Sequence, residues 1–199
     1  MTGTFRLRSD TVLHTGYVWN LALAEFEAPD GSTFTRDIVR SQGAVGVLPL
    51  VFDAEGNPSV VLVSQYRPPY ERTVIEIPAG MRDVDGEETA EVARRELVEE
   101  AGLAAGQLDL LTEILPSPGM TDSVTTLSLA TDCRPVPHDR HGHEEEHMTL
   151  LHHPLGDALD MVDRGEKADA KSDVALLMAE RRLQQSDQRP PPQAPPNEA

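Results

Sequence analysis

Apolar positions along this chain change period several times, and the changes divide it into strands and helices. Residues 17–26 and 33–41 flank Pro29-Asp30-Gly31 and predict an antiparallel hairpin. Residues 44–52 and 59–65 are apolar strands separated by the polar turn Asp53-Ala54-Glu55-Gly56-Asn57-Pro58. A short strand over 73–77 runs into Pro78-Ala79-Gly80. The period then becomes helical: Ala90, Ala93, Leu97 and Ala101 form a narrow stripe of small residues that lets a helix lie close against a sheet. Asp85-Gly86 is a turn signal before it. Glu87 and Glu88 place negative charge in the expected first turn, where the helix dipole favours it, and Gly102 is the expected stop. Residues 108–115, 124–131 and 148–153 read as further strands, and 155–164 and 172–185 as helices. The first fifteen residues are a weakly specified lead-in. The Pro-rich end, PPPQAPPNEA, cannot build a core and reads as a disordered tail.

Composition narrows the class. A chain of 199 residues with 39% hydrophobic content supports one domain and its tails. The division expected is an N-terminal hairpin region over 1–42, a main domain over 43–186 and the tail over 187–199. No apolar run approaches about 18 residues and no signal-peptide pattern is present, so a soluble, cytoplasmic protein with no membrane partner is expected. Cys133 is alone, which excludes an internal disulfide and fits a reducing compartment. The formal charge of −17 argues against nucleic acid as a partner, because phosphate backbones require a basic face. An anionic small molecule would then need metal ions and a few arginines to invert the field locally.

The candidate chemistry lies in Arg95-Glu96-Leu97-Val98-Glu99-Glu100. On a helix, Glu96, Glu99 and Glu100 share one face, an unfavourable grouping unless a cation sits among them. Hard, clustered oxygen ligands suit Mg²⁺ or Mn²⁺ better than zinc. Arg95, within a turn of Glu91 and Glu99, can fix the orientation of a neighbouring carboxylate. A solvated acidic helix is the plain alternative for Glu99-Glu100 taken alone.

The wider window removes that alternative. Gly80, Glu87, then seven residues to Arg95-Glu96, then Glu99-Glu100 and Gly102-Leu103 resemble the box of the Nudix hydrolases. One departure is that six residues, not five, separate Gly80 from Glu87. Within that family the resemblance is to the ADP-ribose pyrophosphatases, over roughly residues 11–180. It is carried by Leu13-His14-Thr15-Gly16 with Trp19 and Thr35-Arg36-Asp37, and by Gln65-Tyr66-Arg67. Glu76-Ile77-Pro78-Ala79-Gly80, Ser117-Pro118-Gly119 and the acidic stretch 142–148 carry it further.

The resemblance implies an α/β Nudix fold, an α/β/α sandwich with a mixed sheet, plus an N-terminal antiparallel sheet used to form a homodimer. It implies metal-dependent hydrolysis of ADP-ribose to AMP and ribose 5-phosphate with two to three Mg²⁺ or Mn²⁺ ions. Glu96, Glu99, Glu100 and the Ala79 carbonyl would hold metal, with Arg95 and Glu99 in the catalytic set. Arg67 and Glu76 would face the substrate, with Pro118 and Gly119 in the loop that marks ADP-ribose members. Trp19 is expected to stack on adenine or to pack in a core or dimer interface, and Arg36 to stack on the base's other face. The general base is expected at Glu145, with Glu144 second; Glu146 also qualifies by position.

Other readings stay open. Nucleotide sugars and NADH compete as substrates, and a non-catalytic nucleotide-binding module is the alternative outside enzymology. His143-Glu144-Glu145-Glu146-His147 matches the zinc-protease pattern, but Gly142 before it and the apolar strand after it do not favour the helix that pattern needs.

Overall fold

The computed structural model describes residues 3–138, 146–166 and 169–187. Its centre is the apolar run 44–52. That run forms β4 (Ala44–Phe52) because it is buried on both faces, which only an interior strand can use. Val45 and Val47 point to one side and pack with Val92, Ala93, Leu97 and Ala101; Leu48 and Leu50 point to the other, against Leu155, Ala158 and Leu176. Helix α1 (Thr89–Ala101) therefore covers one face, while α2 (Leu155–Asp163) and α3 (Ala170–Asp187) cover the opposite one.

The sheet is mixed. β10 (Thr125–Thr131) runs parallel to β4 and antiparallel to β9 (Gln107–Ile114). On the other side, β5 (Pro58–Arg67) pairs antiparallel with the far end of β4, with β6 (Arg72–Glu76) and with β12 (Thr149–Pro154). The near end of β4 pairs with β7 (Ala79–Met81), so the chain leaving β6 is returned to the sheet directly in front of α1. A two-stranded pair joins β8 (Leu103–Ala104) to β11 (Arg134–Pro135). This is the α/β/α sandwich expected from the sequence.

A separate antiparallel sheet is built from β1 (Arg6–Thr15), β2 (Trp19–Glu27) and β3 (Thr33–Ser41). The lead-in expected over the first fifteen residues is thus a ten-residue strand. Every β1 side chain is exposed, and register shifts between Leu7 and Ser9 and between Val12 and His14 break the alternation, so its pairing with β2 left no burial pattern to read. Hydrogen bonds fasten the end of β3 to the main domain: the Val39 amide donates to the Met120 carbonyl at 2.9 Å, and Asp122 takes the Ser41 amide at 3.0 Å and Arg40 at 3.1 Å.

Two details of α1 differ from expectation. Glu88 caps the helix rather than lying in its first turn, where Glu91 stands instead. Ala90, in the first turn of the helix, is exposed, and Val92 joins Ala93, Leu97 and Ala101 in the buried stripe. Gly102 ends the helix as expected, in the left-handed region at φ 61°. The expected tail from about residue 188 lies outside the described residues.

Candidate active site

Burial separates the three clustered glutamates. Glu96 and Glu100 are 7% and 3% exposed, whereas Glu99, one residue round the helix, is only partly covered. Carboxylates at that depth must be compensated. Glu100 Oε2 accepts the Ala79 amide at 2.8 Å, which fastens the helix to the start of β7. Arg95 donates from Nη1 to Glu96 at 2.8 Å and Glu99 at 3.0 Å, and from Nη2 to Asp83 at 3.3 Å and Glu87 at 3.4 Å. Partial burial disfavours its charge, but the hydrogen bond it donates to Glu87 and the charges of Glu96 and Glu99 outweigh that and push its pKa upward, so Arg95 is a fixed cation. Glu91, expected near Arg95, pairs instead with Arg94 at 3.9 Å.

Gly80 completes this corner. A β-carbon there would fall 2.0 Å from the Glu96 carboxyl carbon, so any larger residue would displace the carboxylate from where it now lies. The loop, Arg95 and the two buried glutamates form one unit.

The donor chemistry fits a hard divalent cation. Asp83, Glu87, Glu96 and Glu99 converge on a single arginine, and Glu100 adds a fifth carboxylate beside them. Among the described residues no three acidic, histidine or cysteine side chains are grouped as ligands of one ion: Arg95 takes the place of a cation among the four, and Glu100 is turned to the Ala79 amide.

A second cluster lies at the junction of β5, β6 and α3. Arg67 closes on Glu76 as a fork, Nε to Oε1 at 2.6 Å and Nη2 to Oε2 at 2.8 Å. Lys171 Nζ also donates to Glu76 and, at 2.9 Å, to Asp169. Burial alone would raise the Glu76 pKa, but the Arg67 hydrogen bonds and the Lys171 charge overcome it and hold the carboxyl below its usual range. Ser172, fully buried, accepts the Ile77 amide at 2.7 Å and donates to Asp169. Asp169, Lys171 and Ser172 were missed in the sequence because the helix was expected to begin at 172; the one available signal was the capping residue Asp169, whose carboxylate accepts the Ser172 amide at 3.2 Å.

The remaining candidates scatter. Trp19 lies against His14, ring centroids 5.8 Å apart, at a cavity of about 400 Å³ shared with Arg82 and Asp83. Arg36 stacks over Phe34 at 4.8 Å in a different cavity of about 510 Å³, which Pro118 and Gly119 also line. Trp19 pairs with Ser41 and Arg36 with Ala24, so the two are separated by five β2 positions, roughly 16 Å. Within one chain the two therefore line different cavities. Glu144 and Glu145 lie outside the described residues, while Glu146 is exposed.

The NUDIX domain model matches residues 40–187. This chain belongs to the Nudix family. The box is the unit just described: Gly80 making room, Arg95 as the fixed cation, and Glu96 and Glu100 buried behind β7. The extra residue between Gly80 and Glu87 is taken up in the loop before α1, and Glu87 still reaches Arg95. An ADP-ribose pyrophosphatase from Mycobacterium tuberculosis is 36% identical over 173 residues, covering 87% of this chain and 82% of that protein. An ADP-ribose pyrophosphatase from Bacillus subtilis is 35% identical over 164 residues, covering 82% and 86%. A solved structure described as an ADP compounds hydrolase superposes with a TM-score of 0.78 at 22% identity, over 92% of this Nudix chain and 96% of the other, and shares its fold.

Proposed function

We propose that this Nudix protein hydrolyses ADP-ribose to AMP and ribose 5-phosphate, using Mg²⁺ or Mn²⁺. The observation that carries the reading is the pair of buried glutamates, Glu96 and Glu100, with Glu96 packed over Gly80 and Glu100 held by the Ala79 amide. Glu96, Glu99, Glu100 and the Ala79 carbonyl would hold two to three ions. Such ions supply charge neutralisation along the diphosphate and acidify bound water. The chain's own groups do the rest. Arg95 keeps the glutamates oriented, and Arg67 would hold diphosphate oxygens by charge-assisted hydrogen bonds. Glu145, or else Glu144, would take the proton of the attacking water as one P–O bond of the bridge breaks.

Relatives named for ADP-ribose at 35–36% identity over most of the chain support this substrate over other nucleoside diphosphate derivatives. A homodimer is part of the reading. Phe5, Leu7, Val12 and Leu13 stand exposed on and before β1, an apolar surface that a second copy would cover. The half-buried, lone Cys133 fits a cytoplasmic setting, and among the described residues no helix is long and apolar enough to cross a membrane.

The test is a substrate panel of ADP-ribose, a nucleotide sugar and NADH, compared by kcat/KM with Mg²⁺ and with EDTA. ADP-ribose is expected to lead, and EDTA to abolish turnover. Preference for a nucleotide sugar would reassign the substrate, and undiminished turnover in EDTA would remove the metal mechanism. Light scattering that finds only monomer would remove the dimer.

A further inference from the structure

Arg67 and Arg72 stand directly opposite each other, as the pair of β5 and β6 next to the turn that joins the two strands. Like charges in that relation repel unless an anion lies between them. The turn holds them there: Pro68 and Pro69 have fixed φ, and the Glu71 amide donates to the Pro68 carbonyl at 3.1 Å. Directly opposed residues share one face of a sheet, and alternation along β6 puts Arg72, Val74 and Glu76 on it. All four border one cavity of about 260 Å³, together with Asp169 and Lys171. Three cations meet two carboxylates there, so the local balance is positive in a chain whose formal charge is −17.

The three cations are not equally occupied. Lys171 is spent on Glu76 and Asp169. A guanidinium carries five N–H donors. Arg67 gives Nε and one N–H of Nη2 to Glu76, so its Nη1–Nη2 edge is left for two further oxygens. Glu76, 3% exposed and held also by Lys171, fixes the plane of that edge. Arg72 forms no ion pair among the described residues. It also borders a smaller cavity with Glu166, but Glu166 is taken by Arg164 at 2.7 Å. The pair lies within reach of the box. The charge of Glu100 acts on Arg67, and Glu76 precedes Ala79, whose amide Glu100 accepts at 2.8 Å.

We propose that Arg72 is a further substrate-binding residue, which closes with the free edge of Arg67 on the diphosphate oxygens of the substrate. The proposal rests on the reading of Arg67 as a diphosphate clamp and names the residue that completes it. The diphosphate supplies the negative charge that the opposed arginines lack, and Arg67 keeps its hold on Glu76 throughout.

The test is calorimetric titration of the full chain with α,β-methylene-ADP, a diphosphate analogue that cannot be cleaved at its bridge, in Mg²⁺ at several NaCl concentrations. Arg72 is exposed, so Arg72→Gln is expected to leave the melting temperature unchanged. Its Kd is expected to rise about tenfold at low salt, the size of one charge-assisted hydrogen bond, and to depend less steeply on salt than that of the wild type. KM for ADP-ribose rises by a similar factor with kcat within about twofold. Arg67→Gln, in which Glu76 keeps Lys171, weakens the same ligand; Arg67→Lys stands in should that variant fail to fold. An unchanged Kd in Arg72→Gln would overturn the proposal and leave the Arg67 clamp standing, and so would a weaker Kd with unaltered salt dependence. An unchanged Kd in the Arg67 variant would overturn the clamp reading and the proposal with it. A wild type that binds the analogue through Arg72 and does not turn over ADP-ribose would instead overturn the proposed substrate, with the clamp intact.

Discussion

The Glu96 carboxylate fills the space that a side chain at Gly80 would need, with its carboxyl carbon 2.0 Å from the position of a β-carbon there. Gly80→Ala must therefore push Glu96 away from Arg95 or shift β7 from β4. Misplacing one group of a reacting constellation by about 1 Å can cost on the order of 100-fold. The expected result is a loss of about that size in kcat/KM, with circular dichroism close to wild type. Near-normal turnover would show that Glu96 has no fixed place in the chemistry.

Arg95 reaches four carboxylates with one planar fork. Lysine carries the charge but not the geometry, so Arg95→Lys isolates orientation from electrostatics. Losing an outer partner of a metal ligand typically costs about 10–100-fold in metal affinity or activity. The variant is expected to need a correspondingly higher Mg²⁺ concentration for half-maximal rate. An unchanged Mg²⁺ titration would mean that charge alone suffices.

Metal binding can be read without turnover. An ion that binds the folded chain raises its melting temperature in proportion to the logarithm of concentration over Kd. Mg²⁺ is expected to raise Tm for the wild type and to have little effect on Glu96→Gln/Glu100→Gln. Equal shifts in both proteins would place the ion elsewhere.

Cys133 is half-buried, and burial together with the charge of Asp132 pushes its thiol up to about 11. The thiolate is the reactive form. Alkylation by iodoacetamide at pH 8 is expected to be slow in the native protein and to accelerate in urea. Rapid native labelling would show a thiol more acidic and more open than this setting allows.

What could be read from the sequence follows from how each feature is stabilised. The apolar run of β4 and the Ala93–Leu97–Ala101 stripe are local patterns made by burial, and the strand and the box helix were visible from them; the sandwich followed from the family resemblance. β1 depends on backbone pairing to β2 with no buried side chain, so no pattern marked it. The Lys171–Glu76 contact joins residues 95 positions apart, and neither residue belongs to a helical or strand repeat that points to the other. The separation of Trp19 from Arg36 is set by the register of β2 on β3, which a list of candidate aromatic and basic residues does not contain.

The Glu76 carboxyl is held below the usual glutamate value of about 4.5, which fixes the sign of its linkage to pH. Below that value the unfolded chain binds a proton at this position more readily than the folded one does. Stability from Glu76 is then complete above about pH 4.5 and lost as pH falls through the depressed folded value. Many other carboxylates titrate in the same range, so the comparison must be between wild type and Glu76→Gln. Near neutral pH the variant leaves Arg67 and Lys171 without their shared acceptor, an expected loss of roughly 1–3 kcal/mol. Urea denaturation should show this gap constant from pH 8 to 5 and narrowing below about 4.5. A gap that widened on acidification would mean that Glu76 is protonated in the folded protein. In that case it would not be the acceptor that Arg67 and Lys171 share.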